Sequence, residues 1–194
     1  VLYYVIVKQN AAREELAALI WPEENSELAH RHLRDILYYL GKQFPLKLIV
    51  PHGRSNLKFN PEIHLICDVA LFQAGTGIDH YGGDFLDGFT LDDGAAYEEW
   101  VLEMRSFLRD QYLQRLEQMA KTAQAEQQME SAEQYWNLYL KEEPLSESAA
   151  AALMSLYRTQ RNFNKAALVY RRLHGALADY LGISPLKETS ALYR

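Results

Sequence analysis

Between Arg13 and Ile20 the apolar positions Leu16, Leu19 and Ile20 fall on one helical stripe, and Pro22, which cannot continue a helix, closes the run. The preceding "VLYYVIVKQN" reads as a further core helix. After "EENS", where Asn25 or Ser26 can cap, "ELAHRHLRDILYYLGKQF" places Ala29, Leu33, Ile36, Leu37 and Leu40 on one face and Arg31, Asp35, Tyr38 and Lys42 on the other, with Arg34 on the flank. Gly41 or Pro45 is expected to end this longer helix. The pattern then changes period. "LKLIVPHGRSNLKFN" predicts two short strands, Leu46 to Val50 and Leu57 to Phe59, joined by a polar turn containing Gly53, Ser55 and Asn56.

From Asp68 onward the chain is helical in period. "DVALFQAG" predicts a short helix with Asp68 as cap and glycine at its end. Residues 95–109 predict another helix, and the remainder repeats. A shift of 34 residues pairs Leu116 with Ala150, Met119 with Leu153, Ala123 with Tyr157, Ala132 with Ala166, Trp136 with Tyr170 and Tyr139 with Leu173. That is the tetratricopeptide (TPR) period of roughly 34 residues, built from helix pairs. First helices are expected near Tyr112 and Ser146, and second helices near Ser131 and Lys165, with "ISPLKETSALYR" closing the array. Such an array is a scaffold for peptides or subunits.

Charge divides the chain in the same place. Residues 26–60 hold six bases against two acids, a net +4, whereas residues 1–25 hold two against four and residues 61–194 hold twelve against twenty. A basic island in a chain of net charge −6 is an electrostatic footprint for phosphate. The hydrophobic and charged fractions, 48% and 24%, are those of a soluble globular protein, and no apolar run approaches the roughly 18 residues of a membrane span. The single cysteine, Cys67, excludes an internal disulfide and points to a reducing, cytoplasmic setting; its apolar neighbours predict a buried, inert thiol at a strand end.

A short helix, a tight connection, a longer helix with a basic outer face and a basic-tipped hairpin make a winged helix-turn-helix. Arg31 and Arg34 are the candidates for base or phosphate contact, flanked by Tyr38 and Lys42, while Arg54 and Lys58 on the hairpin are placed to hold the backbone. Double-stranded DNA is the expected partner. His30 and His32, two apart on a helix, are poorly spaced for a shared metal and read as surface residues.

The segment "HYGGDFLDGFTLDD" is acidic and glycine-rich, yet Asp84, Asp87, Asp92 and Asp93 do not have the spacing of a calcium loop. Its glycines are expected to supply turns, with Tyr81, Phe85, Leu86 and Phe89 as packing plugs and Asp92 or Asp93 as a helix cap. No phosphate-binding loop, dinucleotide fingerprint, nucleophile elbow or zinc-protease helix occurs in the sequence. Neither a metal nor a cofactor is expected, and no catalysis.

The order "REELAALIWPEE", "AHRHLRDILYYLGK", a wing, "CDVALF", "YGGDFLDGF", "EEWVLEMRSFLRDQYLQRLEQMA" and "LADYLGISPLKETSALYR" resembles SARP-type bacterial transcriptional activators over essentially the whole chain. The resemblance implies an OmpR-like winged helix in residues 1–67 and a TPR-like bacterial transcriptional activator domain in residues 68–194. It implies sequence-specific DNA binding joined to RNA polymerase contact or self-association, in the simplest case as a homodimer. The chain starts on an apolar run without methionine, so the winged helix is expected to be N-terminally truncated. The fold class expected is mainly α, with a small β-hairpin wing before the helical array. The alternative is a TPR-type protein-interaction scaffold with a repurposed winged helix.

Overall fold

In the computed structural model, residues 1–91 and 94–193 are described, and Asp92 and Asp93, the expected cap, lie outside them. The chain divides into two compact units, Val1–Leu108 and Arg109–Arg194.

The first unit opens with α1 (Leu2–Lys8), a two-residue strand β1 (Ala11–Ala12) and α2 (Arg13–Ile20). Burial of Tyr4, Val5, Leu16 and Ala17 follows the apolar stripes of the two helices. The Tyr4 hydroxyl donates to the carboxylate of Glu15, which also accepts from the Ala12 amide at 3.4 Å, so one acid ties α1 to the start of α2. Helix α3 (Ser26–Gln43) is capped by Asn25, whose side chain accepts from the Leu28 amide at 2.9 Å. It runs through Gly41 and stops before Pro45, because the residue preceding proline is driven to extended backbone, as Phe44 is.

The hairpin consists of β2 (Ile49–His52) and β3 (Asn56–Phe59), in antiparallel register from Ile49 opposite Phe59 to His52 opposite Asn56. The first strand therefore lies about three residues later than the apolar pattern predicts. It includes Pro51, which is tolerated because the strand order is β1-β3-β2 and β2 is an edge. Strand β1, too short to be seen in the sequence, pairs with the other edge of β3.

Beyond the sheet two expectations fail. The segment before α4 (Asp68–Gln73) forms no strand; Leu65 and Ile66 are exposed and Cys67 is half-buried. With no ladder partner, the run "HLIC" has no sheet face to bury. Cys67 itself occupies the cap position of α4, and Asp68 is the first helical residue, accepting from the adjacent Val69 amide at 2.7 Å. A 3-10 turn at Ile78–His80 leads into the glycine-rich loop. There Leu86 (φ 50°) and Gly88 (φ 71°) turn left-handed, and Phe85 is buried edge-on against Trp100, with ring centroids 5.4 Å apart. Phe89 stays partly exposed, between the rings of Tyr3 and Tyr97.

Helix α5 spans Ala95–Ala125 without interruption. The separate helices expected on either side of residue 110 are one, since no glycine or proline breaks the run. In the second unit α6 (Met129–Glu142), α7 (Glu147–Thr159) and α8 (Phe163–Leu181) complete two antiparallel pairs, and α9 (Lys187–Ala191) closes them. The repeat extends to the backbone. Gln127 and Arg161, 34 positions apart, both turn left-handed, and the amides that follow them donate to Ala123 and Tyr157 at 2.8 Å in both turns. Ala132, Trp136, Ala150, Leu153, Tyr157, Ala166 and Leu173 form the core, small where helices touch and large where a groove is filled. The architecture is a winged helix-turn-helix followed by a TPR-like helical array.

Candidate nucleic-acid interface

Helix α3 is anchored by one face and free on the other. Ala29 and Leu33 are buried where α3 packs against α2, whose Leu16 and Ala17 are buried too. Burying these side chains is worth about 1.5–3 kcal/mol for each leucine, enough to hold the helix on its apolar stripe. The outer face carries Arg31, Arg34, Asp35, Tyr38 and Lys42, all exposed. At the N-terminal end, the His32 ring lies over Trp21 at 5.4 Å and its Nε2 is 3.5 Å from Glu24, so His32 braces the helix-turn-helix connection.

Three of the expected residues converge. Arg34, Tyr38 and Lys42 line a groove between α3 and the hairpin, joined there by Arg13 and Lys47, over a floor of apolar residues that includes Leu37, Ile49 and Leu57. The Lys42 ammonium sits 4.4 Å from the centre of the Tyr38 ring, which fixes its direction. Arg31 stands one turn earlier on the helix, and Arg54 lies in the hairpin turn beside Gly53 (φ 67°). Lys58 is placed elsewhere. It alternates with the buried Leu57, and lines a different groove with Ile6, Gln9 and His64. Among the described residues no acid stands within ion-pair distance of Arg13, Arg31, Arg34, Lys42, Lys47, Arg54 or Lys58.

Arg13 and Lys47 escaped the sequence reading because a tertiary groove brings them in. Arg13 begins α2, and its amide donates to the Ser55 carbonyl at 3.0 Å. Lys47 is fixed by buried Asn60, whose amide donates to Leu48 O at 2.8 Å and whose side-chain Nδ2 donates to Lys47 O at 3.0 Å. The one legible signal was Lys47's place in the basic island. Among the described residues there is no cluster of three or more metal-ligating side chains, and no helix is long and apolar enough to cross a membrane.

The family model described as bacterial transcriptional activator domain matches residues 68–194, which is more than half of the chain. The chain belongs to that family. Together with the winged helix ahead of the matched region, this makes it a bacterial transcriptional activator domain protein of the SARP type. A similar fold occurs in Mycobacterium tuberculosis EmbR, whose structure was solved in complex with a low affinity phosphopeptide: the TM-score is 0.57 at 16% sequence identity, over 99% of this chain and 56% of the EmbR chain. The likeness is one of fold, and this chain spans little more than half of EmbR. No curated protein matches it in sequence.

Proposed function

We propose that this bacterial transcriptional activator domain protein binds duplex DNA through residues 1–67 and uses residues 68–194 to contact RNA polymerase or a second copy of itself. The observation that supports it best is the outer face of α3, where among the described residues Arg31, Arg34 and Lys42 have no acid within ion-pair distance, with Arg31 and Arg34 exposed and Ala29 and Leu33 of the same helix buried. An α-helix fits the major groove, and arginine is the side chain that bonds a guanine edge bidentately. Arg54 at the hairpin turn reaches neighbouring phosphate, and Lys58, on the other side of the sheet, adds a smaller contribution that does not depend on sequence. A DNA partner places the protein in the cytoplasm, and the role is binding, with no catalytic step.

Titration of a fluorescent duplex across salt concentrations tests the reading. Several phosphate contacts make affinity fall steeply and linearly on a log–log plot; binding that is absent at every salt concentration contradicts it. The scaffold reading is favoured by one feature, the exposure of Tyr180, Leu181, Ile183 and Leu186 after and at the end of α8, an apolar surface suited to protein contact. The same titration separates the two, since a scaffold alone leaves the duplex free.

A further inference from the structure

Four cations of the α3–hairpin groove come from three separate elements: Arg13 from α2, Arg34 and Lys42 from α3, and Lys47 from the segment leading into β2. Three of the four are tied to groups outside the set. The Arg13 amide is held by the Ser55 carbonyl, the Lys47 carbonyl by Asn60 and the Lys42 ammonium by the Tyr38 ring. Gly41 lies beneath Lys47: a Cβ there would stand 3.9 Å from Lys47 Cγ, so the lysine stem runs across the helix where it carries no side chain. The floor is apolar, which excludes water from beneath the charges and strengthens their attraction for an anion.

When a helix lies in the major groove and a hairpin beside it reaches neighbouring phosphate, the sugar-phosphate strand that borders the groove must pass over whatever lies between the two on the protein. Here that place is this groove. We propose that it seats the intervening strand, with Arg13 and Lys47 as phosphate-binding residues beside Lys42, while Arg34 keeps its place on the reading face of α3. Tyr38 is then a positioning residue for Lys42. The inference rests on the duplex-binding reading above and adds to it a defined path for the backbone. Arg13 and Lys47 carry no base information; they set how deeply α3 sits.

The test uses the full chain and a fluorescent random-sequence duplex pool, with affinity measured against salt. Arg13→Gln and Lys47→Gln are each expected to lower the log–log salt slope by about 0.9, and the double variant by about 1.8. Lys47→Arg is expected to restore the slope, and Lys121→Gln, on the second unit, to leave it unchanged. Base preference in a selection from the same pool stays that of the parent. Thermal melts of each variant exclude loss of fold as the cause. If the parent binds steeply and the folded double variant keeps the same slope, the groove is not the strand's seat, while the duplex-binding reading stands. If the parent binds no duplex at any salt concentration, both are overturned.

Discussion

The guanidinium of Arg105 donates to the carbonyl oxygens of Phe85 (2.7 Å) and Leu86 (2.8 Å), and so holds the glycine-rich loop at the point where Leu86 turns left-handed. Leucine is a costly residue for that conformation, by about 1–2 kcal/mol. Two charge-assisted bonds, the second to a carbonyl that also accepts from the Phe89 amide at 3.1 Å, offset the cost. Arg105→Ala is expected to destabilise the protein by about 2–3 kcal/mol in chemical denaturation. Arg105→Lys recovers less than half of that, because an ammonium does not present the planar fork that spans both oxygens. Full recovery by lysine would show that charge alone holds the loop.

The paired left-handed residues Gln127 and Arg161 make a second prediction. Both close their helix with the bonding pattern that glycine usually serves. Gln127→Gly and Arg161→Gly are each expected to raise stability by about 0.5–1 kcal/mol, despite the extra freedom glycine gives the unfolded chain. Among the described residues the two turns share no backbone hydrogen-bond partner, and the gains should add. Thermal or denaturant unfolding reads this directly, and a loss at either position would mean that its side chain holds the turn.

The repeat was legible because it rests on side-chain size, which the sequence displays: alanine at helix contacts such as Ala132 and Ala166, and aromatics in the grooves at Trp136 and Tyr170. Helix α3 was legible for a similar reason, an apolar stripe with Asn25 at its start. What was not legible depended on partners distant in sequence. Strand β1 is two alanines made into a strand only by pairing with Leu57 and Asn56. Cys67 reads as a buried strand end, but the run before it has no ladder partner, leaving Leu65 and Ile66 exposed and Cys67 half-buried. In the candidate site the helix-borne residues Arg31, Arg34, Tyr38 and Lys42 followed from periodicity. The convergence of Arg13 and Lys47 did not, because it needs the fold around Ser55 and Asn60.

Alkaline pH is a third test. Burial, and then the nearby Tyr3, push the Tyr97 phenol up to about 12, and burial with the adjacent Glu15 pushes Tyr4 up further. In the unfolded chain these phenols ionise near 10. The folded state therefore keeps protons that the unfolded state loses, so the stability these two phenols contribute is fully present below about pH 10 and is lost as pH rises from there through the folded values. Melting temperature is expected to drop progressively across that range, and Tyr97→Phe to make the drop shallower. An alkaline fall identical in Tyr97→Phe and parent would place its origin elsewhere.

The claim on which the functional account rests is that the outer face of α3 reads DNA sequence. Selection from a random-sequence duplex pool at moderate salt, with the parent and an Arg31→Ala, Arg34→Ala double variant run side by side, tests it most directly. The account predicts an enriched motif for the parent that the folded double variant loses, with a penalty of about 1–3 kcal/mol for each bidentate base contact removed. An identical motif from both proteins, or no enrichment from a folded parent, would contradict it.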